Sequence, residues 1–265
     1  MTINPASILK DVELIRENAP LVHNITNYVV MNNTANALLA IGASPVMAHA
    51  VPEVEEMAGI AGALVLNIGT LSDPWIEAMF KAAKKAKSRQ IPIVIDPVGV
   101  GATQYRTRTA RELIQASAPS IIRGNGSEIM ALCEQDITTK GVDSTSGSDL
   151  AIDSAKALAR EFDCVVCVTG KIDYIVSSSA IIQVKNGHGM MPRVTGLGCT
   201  ATALCGAFAA INPDYDKAAA HAMAVMGIAG EMAAQKAQGP GTFQVNFIDA
   251  LYQLSETHIR GFFKA

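Results

Sequence analysis

Two hydrophobic periods alternate along the chain. A helical period opens it: after the start signal Asn4-Pro5, the apolar residues Ile8, Val12 and Ile15 fall on one face. The short run 21–24 then reads as a strand. The exchange repeats. Helical spacing predicts helices over 31–41, stopped by Gly42, over 52–60, over 73–88 behind a Ser72 cap, and over 108–117, 127–134 and 149–162. Apolar, β-branched runs predict strands over 45–48, 63–68, 91–95, 120–123 and 164–169. Residues 173–177 and 181–185 alternate and read as a hairpin, whereas 138–148 is a polar loop. The end of the chain is helical over 199–211, 216–237 and 243–262. Strands alternating with helices predict an α/β fold. We expect a single-domain three-layer sandwich over residues 1–265, a mostly parallel central sheet with helices on both faces. Ligands of such sheets bind beyond the carboxyl ends of the strands.

Composition narrows the function. Of 265 residues, 49% are hydrophobic and only 17% charged, which excludes a disordered chain. Aromatics are scarce at 5%, and alanine fills much of the apolar share, so helices can pack closely. A net charge of −3 argues against a nucleic-acid partner, which needs a basic face. Lys10, Asp11, Glu13, Arg16 and Glu17 exclude a signal peptide near the start. The most apolar stretches, 58–66, 199–211 and 222–234, fall short of the ~20 residues that span a bilayer. The expectation is a cytoplasmic protein with reduced thiols and no membrane partner. Cys164 and Cys167 form a C-x-x-C, but in a strand such residues face opposite ways and cannot share a metal.

Candidate chemistry gathers at predicted strand ends. Val194-Thr195-Gly196-Leu197-Gly198-Cys199-Thr200 runs into a helix with no capping side chain. A helix start leaves about four N–H groups unpaired, and glycines let an anion approach them. The bland reading of Gly196 and Gly198 is a tight turn before a buried helix. At the first helical turn a thiolate at Cys199 would be favoured, or else the residue is a small buried thiol. Asp96 directly follows a β-branched strand and leads into a loop built on Pro97, Gly99 and Gly101. Arg123-Gly124-Asn125-Gly126-Ser127-Glu128 follows another strand, and Thr169-Gly170-Lys171 a third. Asp96 and Glu128 could share a hydrated Mg²⁺, Arg123 could pair with phosphate, and Thr169 could offer a hydroxyl to phosphate or ribose. Together these point to phosphoryl transfer. His188 reads as a loop residue, His221 as a core or subunit-interface residue, and 81–87 as a solvated helix end.

The order Asp96-Pro-x-Gly-x-Gly, Asn125-x-x-Glu128, Thr169-Gly170 and Gly196-x-Gly198-Cys199 resembles the ribokinase-like small-molecule kinases. The N-terminal His23-Asn24-Ile25-Thr26-Asn27 together with the late Gly-x-Gly-Cys is similar to the hydroxyethylthiazole kinase family, over nearly the whole chain. The resemblance implies ATP-dependent phosphorylation of the primary alcohol of 4-methyl-5-(2-hydroxyethyl)thiazole, in the salvage route to thiamine phosphate. It implies that Met47 and Gly196 contact the thiazole and that Asn27 lines the same pocket. Arg123 and Thr169, with Asn125 beside them, match ATP-binding positions. Asp96 and Glu128 match positions that organise Mg²⁺ and phosphate. Gly196, Gly198 and Cys199 match the catalytic anion hole. The family is trimeric, with active sites at subunit interfaces.

In the wider superfamily an Asp stands where this chain has Cys199, so Cys199 is expected to assist the reaction rather than drive it. Four other readings stay open on residues alone: a kinase for another alcohol such as hydroxymethylpyrimidine, an ADP-using repair lyase, a cysteine hydrolase, and a non-catalytic nucleotide-binding regulator. The hydrolase needs a base beside Cys199, and none of the histidines has a companion motif. The regulator does not need both Asp96 and Glu128.

Overall fold

The computed structural model describes residues 3–133 and 147–264. Eight strands form one sheet in the order β2-β1-β3-β4-β5-β6-β7-β8. They are β1 (Leu21–Ile25), β2 (Ser44–Val46), β3 (Ala63–Asn67), β4 (Ile93–Asp96), β5 (Ile121–Asn125), β6 (Val165–Thr169), β7 (Asp173–Val176) and β8 (Ile181–Val184). The first six are parallel. β7 and β8 are antiparallel to their neighbours, as the predicted hairpin requires.

Strand alternation splits the apolar side chains into two cores. One holds Val22, Val65, Val94, Ile121 and Cys167 and is covered by α1 (Pro5–Asn18), α2 (Met31–Ile41), α8 (Leu197–Ile211) and α9 (Tyr215–Lys236), with α10 (Pro240–Gln253) and α11 (Glu256–Phe262) behind. The other holds Leu64, Leu66, Ile93, Ile95, Ile122 and Val166 under α3 (Val54–Ile60), α4 (Asp73–Ser88), α5 (Gln104–Ser117), α6 (Gly126–Cys133) and α7 (Gly147–Phe162). The expected three layers are therefore present. Cys167 belongs to the first core and Cys164 to the second, so the C-x-x-C is two separate core thiols.

Alanine has the role its abundance suggested. Helix α8 runs directly over the sheet, and eleven of its residues are buried, mostly Ala, Gly, Thr or Cys. Its closest approach is at Gly206, where a Cβ would stand 2.6 Å from Val65 Cγ2.

The boundaries differ from expectation where side chains reach the backbone. The predicted helix 243–262 is two helices, because Ser255 accepts a hydrogen bond from the His258 N–H and starts a new one. Helix α5 begins at Gln104, four residues early, because Thr103 accepts from the Arg106 N–H. Ser72 has the backbone of a cap but makes no side-chain cap bond. Of the predicted loop 138–148, residues 138–146 lie outside the described residues, and Gly147 and Ser148 open α7. Among the described residues no helix is long and apolar enough to cross a membrane.

Candidate active site

One register explains which side chains meet. Val65, Val94, Ile121 and Cys167 point toward α8. Two residues further along each strand, on that same face, stand Asn67, Asp96, Arg123 and Thr169. The core side of four adjacent strands thus turns polar at its carboxyl edge, where α8 begins.

Helix α8 starts at this edge without a side-chain cap. Gly196 takes the N-cap position at φ +86°, in the left-handed region that favours glycine. A Cβ there would also stand 2.7 Å from Val30 Cγ1. The first intrahelical bond runs from the Thr200 N–H to the Gly196 carbonyl, 2.8 Å. The N–H groups before it have no partner within the helix, and they carry its positive pole. Arg123 adds charge: its Nη1 would lie 3.0 Å from a Cβ at Gly198. Arg123 Nη2 donates to Thr169 Oγ1 at 2.7 Å, and that hydroxyl donates to the Gly124 carbonyl at 3.2 Å. The start of α8, Arg123 and Thr169 therefore stand together at this edge.

Asp96 is buried beside them. Its Oδ2 accepts from Asn67 Nδ2 and from the Thr202 hydroxyl, both at 2.7 Å. Its Oδ1 is buried with no partner. Burial pushes the carboxyl up to about 6, against the pull of Arg123 and the Thr202 bond, while the charge of Glu128 adds to the rise. Glu128 is placed differently. Its Oε1 accepts from the Gly99 N–H and its Oε2 from the Asn125 N–H, both at 2.9 Å. It thereby ties the loop after β4 to the end of β5. Among the described residues no group of three or more His, Cys, Asp or Glu could cage a metal. The set does suit Mg²⁺, which keeps several waters and needs only one or two carboxylates beside substrate phosphates. The unpartnered Asp96 Oδ1 is the observation that fits it.

Cys199 is half-buried on the first turn, and its Sγ accepts from Asn27 Nδ2 at 3.3 Å. Of the two readings of Cys199, the small buried thiol fits the structure better: burial pushes the thiol up, and the nearby Asp96 carboxylate pushes it further. The Asn67 and Asn27 side chains and the Arg123 charge pull the other way without offsetting that cost. Asn27, expected to line the pocket, also donates to Asn67 Oδ1 at 2.9 Å. Asn125 Oδ1 accepts from the Ser127 hydroxyl and from the Glu128 N–H, so its side-chain carbonyl caps α6. Met47 lies just beyond β2, the edge strand, and β1 separates it from Asn67. His23 ties these ends together with a 2.7 Å bond from Nε2 to the Ala48 carbonyl. Nearby, Trp75 packs against Tyr28 and His49 at ring distances of 4.7 and 4.6 Å.

Three partners went unread in the sequence. Asn67 ends an apolar run, and that polar strand end was a usable signal. Thr202 looks like any helix residue. Arg106 reaches the Ile68, Val98 and Gly69 carbonyls at 2.8 to 2.9 Å and clasps the loops after β3 and β4, with nothing local to announce it. His221 is a core residue, bonded to Asp11 and Ser7 at 2.6 and 3.1 Å. His188 lies on an exposed loop.

A mostly parallel sheet with an uncapped helix start and a buried carboxylate at its carboxyl edge is the architecture of the ribokinase-like fold. A ribokinase-like superfamily protein from Enterococcus faecalis shares this fold with a TM-score of 0.63, at 12% identity, over 98% of this chain and 95% of that one. The particular family follows from closer relatives. The model of the hydroxyethylthiazole kinase family matches residues 12–257. A hydroxyethylthiazole kinase from Syntrophus aciditrophicus is 59% identical over 98% of this chain and 96% of its own length. One from Leptospira biflexa is 56% identical over 95% and 94%. The structure of a hydroxyethylthiazole kinase protein from Pyrococcus horikoshii matches with a TM-score of 0.90 and 45% identity over 97% of each chain. The chain belongs to the hydroxyethylthiazole kinase family, and it is a kinase.

Proposed function

We propose that this chain, as one catalytic domain, transfers the γ-phosphoryl group of ATP to the hydroxyl of 4-methyl-5-(2-hydroxyethyl)thiazole, as a step in thiamine salvage in the cytoplasm. The observation that carries this reading is the uncapped start of α8 facing Asp96, Arg123 and Thr169 at one sheet edge. The new O–P bond forms as the bond from Pγ to the ADP oxygen breaks, and the substrate proton is lost to water. Charge on the moving phosphoryl group meets the N–H groups of residues 197–199, within a turn that Gly196 and Gly198 keep open. Arg123 holds ATP phosphate directly, with Thr169 keeping its guanidinium in place. Asn125 supports the nucleotide side by holding the loop it shares with Glu128. Asp96, with Glu128 acting through water, is the place for Mg²⁺, which supplies charge neutralisation on the β- and γ-phosphates when bound. Cys199 stays a neutral thiol beside the reacting oxygen and assists by contact. Met47, Gly196 and Asn27 border the pocket for the ring, and the aromatic group of Tyr28, His49 and Trp75 gives that end an apolar character suited to a flat heterocycle.

We further propose a homotrimer with sites at its interfaces. Tyr28 and Val29 are 64% and 60% exposed although they directly follow the buried Asn27, so the site borders an apolar surface that a second copy would cover. Light scattering tests the assembly: a trimer mass is expected, and a monomer mass overturns it. For the reaction, the protein is incubated with Mg-ATP and a panel of thiazole, pyrimidine and pyridoxal alcohols while ADP release is followed. Release that depends on the thiazole is expected. Release only with the pyrimidine alcohol reassigns the substrate.

A further inference from the structure

We propose that Asn67 is a positioning residue for Asp96: with Thr202 it holds Oδ2 and so leaves Oδ1 as the oxygen available to the reaction. The inference rests on the reading of Asp96 given above.

Two backbone donors fix the orientation of both carboxamides. A backbone N–H only donates. The Gly69 N–H donates to Asn67 Oδ1 at 2.9 Å, so the other end of that carboxamide must be Nδ2. The Val29 N–H donates to Asn27 Oδ1 at 3.2 Å, which fixes the second carboxamide in the same way. Asn27 Nδ2 then donates to Asn67 Oδ1, and Asn67 Nδ2 donates to Asp96 Oδ2. Neither amide can flip without setting two acceptors or two donors against each other. Gly69 makes the arrangement possible sterically, since a Cβ there would stand 2.6 Å from Asn27 Nδ2.

The two donors on Asp96 come from different elements. Asn67 lies on the neighbouring strand, in register with Asp96, and Thr202 lies on α8 above it. Both bonds fall on Oδ2, and Oδ1, equally buried, takes none. A carboxylate held by one oxygen in this way cannot rotate, and a buried acceptor left open awaits a partner that the protein does not supply. The relay also joins Asp96 to Cys199, because Asn27 donates to both Asn67 and the Cys199 sulfur. Asn67 thus couples the orientation of the carboxylate to the anion-binding turn without touching the substrate.

The test is a double-mutant cycle on the full chain: wild type, Asn67→Ala, Asp96→Ala and the double variant. It measures kcat and KM for the thiazole alcohol and for Mg-ATP, Mn²⁺ binding in the presence of ADP by electron paramagnetic resonance, and chemical denaturation to establish folding. Asn67→Ala is expected to lower kcat and Mn²⁺ affinity by about 10–100-fold, as for other groups that orient a metal-binding side chain. In the Asp96→Ala background the same substitution should change kcat by less than about twofold. An Asn67→Ala enzyme with near wild-type kcat and Mn²⁺ affinity, or an undiminished effect in the Asp96→Ala background, overturns the proposal. If Asn67→Ala does not fold, the near-isosteric Thr202→Val runs through the same cycle, and independence from Asp96→Ala overturns it. Unchanged kcat in Asp96→Ala alone overturns the Asp96 reading itself. Lost kcat there beside an intact Asn67→Ala overturns only the positioning role.

Discussion

Replacing Cys199 by Ser separates a thiol that assists from one that drives the chemistry. In the structure Sγ accepts one bond, from Asn27 Nδ2 at 3.3 Å, and burial with the Asp96 charge raises the thiol above its ordinary value. At neutral pH the group is therefore protonated and cannot take the substrate proton. What a substitution removes is then at most one neutral hydrogen bond and a fitted contact, worth about 0.5–1.5 kcal/mol. At about 1.4 kcal/mol per factor of ten, kcat falls by no more than roughly tenfold. The assay is steady-state ADP release with saturating Mg-ATP and thiazole alcohol, repeated from pH 7 to 9. The account predicts measurable turnover for Cys199→Ser and no rise in the wild-type rate toward pH 9. A loss above about a thousandfold, with folding and ATP binding intact, would refute the reasoning, since a neutral contact does not reach that size and a proton-transferring group does.

Other expectations follow from the same geometry. For free enzyme, kcat/KM should fall as pH drops through about 6, where Asp96 takes up a proton, and Asp96→Asn should remove that limb. The raised carboxyl also means that the folded state binds more protons than the unfolded one between the ordinary value of 3.8 and about 6. Its contribution to stability is therefore greatest below that window and is lost as pH rises through it, a slope that urea titrations at pH 4 and 6.5 measure against Asp96→Asn. Asp11→Ala removes the partner of the buried His221 Nδ1 and of the half-buried Asn212 Nδ2, and chemical denaturation should show a loss of about 1–3 kcal/mol. Gly206→Ala should cost about 1–3 kcal/mol by overpacking against Val65, and the displaced α8 should lower kcat as well.

Most of this architecture was legible because the chain keeps its two periods apart. Fully buried parallel strands such as Ile93–Asp96 read as unbroken apolar runs, and a polar residue at the strand's end marked the carboxyl edge. Asp96, Arg123, Thr169 and the Gly196 turn were legible for that reason, since each stands where a strand or a loop gives way to a ligand edge. What stayed hidden is relational. Thr202 and Arg106 act across 106 and up to 38 residues of sequence, and no local pattern encodes such a bond. The state of the Cys199 thiol stayed open in the sequence because a helix start is visible there while burial beside Asp96 is not. The helix break at Leu254 was missed because the apolar spacing runs through it, although Ser255 carries the signal of a new cap.

The central claim is that this site moves a phosphoryl group from ATP to the thiazole alcohol. Phosphorus-31 NMR of a reaction containing the protein, Mg-ATP and 4-methyl-5-(2-hydroxyethyl)thiazole tests it most directly. The account predicts a new phosphate monoester resonance that grows in equal amount with ADP. ADP accompanied only by inorganic phosphate, or no nucleotide turnover with this alcohol, would contradict it.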